Sequence, residues 1–433
     1  MLKKFFAGCL ILLLFFQCGC GTEVPAVVGE KAYQEKGVTI TDKGNYYDVV
    51  LDYSSGLTHR QMGEAFARGI LRVIPDYEYL VDSYIAENLP KSEYPYSFFR
   101  VDDIKPQLNK DYVDEIEGMA SVFSGGRNNV WNDKKVSIDE FYIFNLFTDI
   151  VRNTECSVVS VFKSRSETGK TITGRNLDWY GGSINQLPKI QAVITYKYPD
   201  KKVCSIGYMG YLGIITGFND SKVFAAILDS QSGAAFNSVG KRSYPLDIRF
   251  ALESKKTMYE AIDFMKDPQK NYTFNHVIAL SDPDESVMLE NNFSGVGTED
   301  RRVKRDVRKS DSKLNKGVTW GIQDAIGSVN SFILKGNYDN HKPNKYNTKR
   351  WDNMKKQLLA KGSKVTPEEV KEIMSYDKGS PGTFSESGDL YNKMTLQMVV
   401  FQPDSLSLEV FFRPRDSRRN PDSPVFEKVD VFH

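Results

Sequence analysis

The chain has 433 residues, 40% hydrophobic and 12% aromatic, and its 57 Lys and Arg against 56 Asp and Glu leave a net charge of +1. That composition excludes a disordered or low-complexity chain. The even charge lacks the electrostatic footprint of a nucleic-acid binder. The His are scattered at 59, 276, 341 and 433, and the Cys show no zinc spacing, so neither a metal nor an organic cofactor is expected.

Lys3 and Lys4 precede an apolar run from Phe5 to Phe16 that ends in Gln17-Cys18-Gly19-Cys20. The run is too short to span a bilayer comfortably and reads as an export signal over residues 1–20. A small residue before a Cys resembles a lipobox, so Cys20 is the expected lipidated residue and membrane anchor. A plain secretory signal is the other reading. After Cys20 only Cys156 and Cys204 remain, which is no disulfide scaffold. The two could pair, or one could be a free, purposeful thiol.

Residues 21–155 read as mainly helical. Thr58-His59-Arg60-Gln61 is a capping-box signature opening a helix, with Met62, Phe66, Leu71 and Ile74 as inward positions. Tyr112 to Phe123 is a second amphipathic helix. Ser137-Ile138-Asp139-Glu140 is another capping box, opening Phe141 to Val151. After residue 155 the period shifts towards strands. Ser157–Phe162 and Lys170–Gly174 are followed by Ile190–Tyr198, Val203–Tyr208, Leu212–Phe218 and Val223–Asp229. A helical stretch, Leu246–Met265, leads to strands at His276–Leu280 and Ser286–Glu290, with no role read for Glu290. Residues 301–316 read as a solvated basic loop. Helices at Arg350–Leu359 and Thr366–Met374 and strands at Met394–Phe401 and Leu406–Phe412 complete the chain. Strand blocks between helix blocks predict a layered α+β sandwich.

One constellation carries chemistry. Cys156 heads a strand, and the next strand ends in Gly174-Arg175-Asn176-Leu177-Asp178-Trp179. If the two pair as a hairpin, Arg175 and Asp178 return beside the Cys156 nitrogen. A thiol needs a base or a lowered pKa to attack, and no His lies nearby in sequence. An N-terminal Cys would use its own α-amine, whose free pKa is about 8. A carboxylate could orient that amine, and a guanidinium could stabilise the thiolate. For this, the thiol must first cut the Glu155–Cys156 bond.

Cys at a strand start followed by Gly-Arg-Asn-x-Asp-Trp resembles the penicillin acyltransferase, choloylglycine hydrolase, acid ceramidase and N-acylethanolamine amidase families. These are N-terminal-nucleophile hydrolases, so the resemblance implies a four-layer αββα sandwich with a helical pro-region. It covers most of the chain. Gly56 to Gly69, with Met62-Gly63-Glu64-Ala65-Phe66-Ala67-Arg68-Gly69, resembles the opening helix of the acyltransferase pro-region, and Glu115-Ile116-Glu117-Gly118-Met119-Ala120 resembles its Glu-x-x-Gly-x-Ala helix. Gly217-Phe218-Asn219-Asp220 resembles the family's Gly-Met-Asn-Glu turn, and the position ten residues beyond its Asn, an oxyanion Asn in bile-salt hydrolases, is Asp229 here. A carboxylate donates only when protonated, so Asn330, the match to a later family Asn, is the better oxyanion candidate. Arg350 resembles the Arg that closes the family site. The long segment before Cys156 resembles the acyltransferase and ceramidase type, in which residues 21–155 stay on as a smaller subunit beside a catalytic domain of residues 156–433.

With the export signal read above, the resemblance implies an exported amidase that acts on an N-acylated small molecule and works as two associated, self-cleaved subunits. Acyl transfer to an amine shares the same acyl-enzyme, and a non-catalytic ligand-binding lipoprotein is the reading from a different class. Each residue also has a plainer reading. A lone Cys is ordinarily a small buried hydrophobe, as Cys204 is read. Arg175 and Asp178 could be a structural ion pair. Asn330 and Asp229 could be turn formers, Arg350 a solvated helix residue, and Trp179 and Tyr180 packing rather than an acyl pocket.

Overall fold

The structure, a computed structural model, describes residues 29–151, 154–231, 236–293, 302–378 and 388–432. The segment expected to be an export signal, Cys20 included, and His433 lie outside them. The described N-terminal part is not only helical. It begins with an antiparallel meander of β1 (Ala32–Glu35), β2 (Val38–Asp42) and β3 (Tyr47–Asp52). Val38, Ile40, Val49 and Leu51 are buried in strict alternation, the period of a strand with one face on a core. Five helices and a short turn follow: α1 (His59–Val73), α2 (Tyr77–Asn88), α3 (Tyr94–Ile104), α4 (Lys110–Ala120), α5 (Ile138–Asn145) and α6 (Phe147–Ile150). The capping boxes at Thr58 and Ser137 form as expected.

The two glycines inside the motifs of α1 and α4 let these helices touch backbone to backbone. A Cβ on Gly63 would lie 2.2 Å from the Glu115 carbonyl oxygen, and one on Gly118 would lie 2.2 Å from that of Arg60. Gly118→Ala must therefore push the helices apart. We expect it to cost about 3 kcal/mol, the upper end for an overpacked core, read as a lower urea midpoint at unchanged m-value.

The chain then enters a hairpin of β4 (Thr154–Val161) and β5 (Ile172–Trp179). The short α7 (Gln186–Lys189) leads to β6 (Gln191–Lys197), β7 (Lys202–Tyr208), β8 (Thr216–Asn219) and β9 (Phe224–Asp229). The helical stretch expected as one piece is two helices, α8 (Tyr244–Ser254) and α9 (Met258–Lys266), because Thr257 forms a new capping box with Glu260. Then come β10 (His276–Ser281), β11 (Ser286–Asn292) and β12 (Lys304–Arg308). The last of these lies in the stretch expected to be a solvated loop. It is instead a strand paired to β11, with Arg308 buried. The chain closes with β13 (Ala325–Val329), α10 (Lys345–Ala360), α11 (Pro367–Met374), β14 (Thr395–Gln402), β15 (Ser407–Phe412) and β16 (Glu427–Val429).

The strands form two sheets, ordered β1-β2-β3-β6-β7-β8-β9-β10-β11-β12 and β13-β4-β5-β14-β15-β16. The sheets stack face to face: Phe218 of the larger lies 4.1 Å, ring to ring, from Phe401 of the smaller. Helices α8 and α9 pack on the larger sheet, and α10 and α11 on the smaller. This is the four-layer αββα arrangement of the α+β class. Both faces of β5 are covered, so all eight of its residues are buried, as expected for a strand sandwiched on both sides.

Candidate active site

The β4–β5 hairpin brings the motif residues together, and strand alternation sorts them onto two faces. Cys156 pairs with Leu177 and Glu155 with Asp178. Opposed residues share a face, so Cys156, Arg175 and Leu177 point between the sheets, while Asn176 and Asp178 point the other way. Arg175 therefore reaches the sulfur rather than the Cys156 nitrogen. Its Nη2 lies 3.5 Å from Cys156 Sγ and donates to the Ile227 carbonyl at 3.2 Å. Its Nε and Nη1 are buried without a hydrogen-bond partner, and among the described residues no carboxylate pairs with it. Tyr208 Oη, within electrostatic reach of both Arg175 and Cys156, is also buried and unpartnered. The space around the sulfur is thus rich in donors and poor in acceptors. A buried cation without a counterion is costly, and the thiol, 3.5 Å from Nη2, is a group able to become its anion.

The Cys156 backbone is held from the other side. Its N–H donates to Asn330 Oδ1 at 2.6 Å, and its carbonyl accepts from Arg350 Nη1 at 3.1 Å. Arg350, fully buried on α10, also donates through Nη2 to Asn330 Oδ1 at 2.9 Å and to Asn347 Oδ1 at 2.6 Å. Its Nη1 lies 3.7 Å from Asp178 Oδ2 and its Nη2 lies 3.9 Å from Glu155 Oε2. Far from being a solvated helix residue, Arg350 joins every other group on this side. Asp178 does not reach the Cys156 nitrogen. Its carboxylate accepts from Thr395 Oγ1 at 2.7 Å and Asn392 Nδ2 at 3.2 Å.

Two expectations on the oxyanion donors change. Asn330 is in the site, but its amide nitrogen donates to the Asp229 carbonyl at 2.8 Å. With the Glu155–Cys156 peptide intact it orients the cysteine nitrogen instead of presenting a donor. Asp229 contributes its backbone carbonyl to this contact. A cleft of about 720 Å³ opens here, lined by Glu155, Asp229, Asn330, Tyr338, Lys345 and Asn347.

Burial dominates the protonation states. It pushes the Cys156 thiol up to about 11, against the pull of Arg175 and Arg350 and with a further push from the Asp178 carboxylate. Burial also lifts Asp178 to about 6 against Arg350, and lifts Glu155 against the same arginine. A neutral thiol is what an uncut, closed site should hold.

Sequence reasoning missed Asn347, Asn392 and Thr395. Asn347 donates to the Asn330 carbonyl and to Ser331 Oγ, both at 2.8 Å. It stands one helical turn before Arg350, so spacing could have found it. Nothing local marks Asn392 or Thr395. Two motif residues prove to be braces. Asn176 donates to the Met374 and Leu390 carbonyls, tying β5 to α11 and the segment beyond it. Asn219 ties the β8–β9 turn to the end of α8 through the Leu252 and Lys255 carbonyls. Cys204 is a buried core residue with no disulfide.

No family profile and no curated protein matches the chain. Among solved structures it is similar to an N-acylethanolamine-hydrolysing acid amidase ortholog from Caenorhabditis elegans, 18% identical over 57% of this chain and 93% of that one, with a TM-score of 0.41. It is also similar to conjugated bile acid hydrolase from Clostridium perfringens, 13% identical over 64% and 97%, TM-score 0.36. Penicillin V acylase from Agrobacterium tumefaciens is 13% identical over 64% and 86%, TM-score 0.36. At such values the functional reading rests on the geometry of this chain.

Proposed function

We propose that this protein is an exported cysteine N-terminal-nucleophile hydrolase that cuts its own Glu155–Cys156 bond and then cleaves a linear amide of an N-acylated small molecule. The observation that carries this reading is the placement of Cys156. Its sulfur lies 3.5 Å from a buried guanidinium that no carboxylate pairs with among the described residues, and its nitrogen donates to Asn330 Oδ1 at 2.6 Å. In the first stage Sγ attacks the Glu155 carbonyl carbon, the C–N bond breaks with a proton passing to nitrogen, and water hydrolyses the thioester. Glu155 leaves as a carboxylate and Cys156 gains a free amine. In the second stage that amine takes the thiol proton, the thiolate attacks the substrate carbonyl, and the departing amine receives the proton. Water then releases the acid. An acceptor amine in place of water would make the same enzyme a transferase.

The two pieces have reason to stay together. β3 runs parallel to β6 across the cut, in register from Tyr47↔Ala192 to Asp52↔Lys197. Arg249 on α8 grips Glu115 on α4 in a buried bidentate pair at 2.6 and 3.0 Å. The basic, apolar and Cys20 pattern of the first residues supports export with a lipid anchor. No described helix is long and apolar enough to cross a membrane. Denaturing intact mass should show two chains meeting between Glu155 and Cys156 that co-elute under native conditions. Cys156→Ala should give one chain without amidase activity on a panel of N-acyl amines. An active wild type that stays uncut would overturn the processing step, and an active Cys156→Ala would overturn the nucleophile.

A further inference from the structure

We infer that Glu290 is a positioning residue for this site, holding Asn330, and through it the Cys156 nitrogen, at the height the thiol chemistry needs. The inference rests on the reading of Cys156 above. Glu290 lies on β11 in the larger sheet, fully buried. Its Oε1 accepts from Arg308 Nε at 3.1 Å and from the Ile333 and Leu334 N–H groups at 3.0 Å each. Its Oε2 accepts from Leu334 N–H at 3.2 Å and Asn337 Nδ2 at 2.9 Å. Arg308 in turn donates through Nη2 to the Gly327 carbonyl on β13 at 2.9 Å. The pair therefore fastens the smaller sheet's edge three residues before Asn330 and the loop three residues after it.

Between these anchors the chain makes a three-residue turn, with Ser331 N–H donating to the Val329 carbonyl at 2.6 Å and Asn330 at its centre. A turn this short leaves its central side chain little choice of direction, so moving either anchor moves the amide that meets Cys156. A buried ion pair is a costly loop anchor, and an apolar pair of similar volume is often as stable or more so. What the carboxylate supplies that an apolar residue could not is several directed acceptor bonds at one point.

The test uses the processed full-length protein and iodoacetamide, which reports the Cys156 thiolate without a known substrate. Alkylation is followed against pH by intact mass of the C-terminal chain, with buried Cys204 as the internal control. Glu290→Gln turns a donor towards Leu334 and Asn337 and should let the Asn330 loop drift. The cysteine amine then loses its acceptor, its ammonium form weakens, and the thiolate loses a cationic neighbour. We expect alkylation at pH 7 to slow about tenfold, with the apparent thiolate pKa rising by about one unit. Asn337→Ala removes one of the bonds to Glu290, together with the contacts that Asn292 Nδ2 and the Tyr338 N–H make to Asn337 Oδ1; it keeps the Glu290 carboxylate, should fold even if Glu290→Gln does not, and should shift the profile the same way by less. A lowered melting temperature with an unmoved pH profile in both variants would overturn the positioning role while leaving the thiol reading intact. A wild-type Cys156 no more reactive than Cys204 would overturn both.

Discussion

Replacing Arg175 by methionine is expected to slow thiol chemistry by about 10³ and, at the same time, to stabilise the fold. The first effect follows from the guanidinium lying 3.5 Å from Cys156 Sγ. A neighbouring cation at this range lowers an acid's pKa by about one to three units, and a donor aimed at developing charge contributes about 10²- to 10³-fold in rate. The second effect follows from Arg175 having, among the described residues, no carboxylate partner and two unpartnered nitrogens. Exchanging such a cation for an apolar side chain of similar length removes a desolvation cost, and neutral to stabilising outcomes are the rule for buried charges replaced in this way. A structural ion pair predicts the opposite, lost stability at retained reactivity. Iodoacetamide kinetics and a denaturant titration on the same preparation distinguish the two. A variant that is less stable and equally reactive would remove Arg175 from the chemistry.

Arg350→Met should be the most destabilising single change in the site and should be partly rescued by acid. Arg350 is the only cation within ion-pair distance of Asp178 among the described residues. Without it a buried carboxylate is left uncompensated, at a cost of about 3–5 kcal/mol at pH 7. The pH dependence has a definite sign. Asp178 titrates near 6 in the fold because burial outweighs Arg350, against about 3.9 in an unfolded chain. The native state therefore holds more protons between those values, and the contribution of Asp178 to stability falls as pH rises through that window. Removing Arg350 takes away the main force opposing burial, so the folded value climbs and the window widens upward. The variant should recover part of its loss on going from pH 7 to pH 5, and Arg350→Met with Asp178→Asn should be more stable at pH 7 than Arg350→Met alone. Equal losses at both pH values, with no gain from the second change, would show that Asp178 is not the charge Arg350 balances. Turnover should fall as well, since Arg350 also holds the Cys156 carbonyl and Asn330 Oδ1.

What was legible in the sequence is what neighbouring residues decide between themselves. The capping boxes at Thr58 and Ser137 each close over three residues and can be read as strings. The meeting of Cys156 with Arg175 needs only a hairpin. The meander of β1 to β3 was also written locally, in the alternation of Val38, Ile40, Val49 and Leu51, but the helical signatures that follow it masked the shorter signal. The β12 strand was hidden differently: its alternation carries Lys and Arg, which look solvated until Arg308 is seen paired with Glu290 on the neighbouring β11.

The sequence by itself determined the layered α+β class, the hairpin with its thiol and the residue types of the site. Only the tertiary structure decided that Arg175 serves the sulfur while Asp178 serves Arg350, because strand parity separates faces but does not say what covers each. It gave Asn330 and Arg350, which the resemblance had marked as candidates, their partners around Cys156 from 174 to 194 positions away, and it alone brought in Asn347 beside them and Glu290 behind them. The physical reason is common to all these contacts. A buried charge or amide is satisfied by whatever the packing brings within about 3 Å, and that partner is chosen by how two sheets and a helix stack, which no local period encodes.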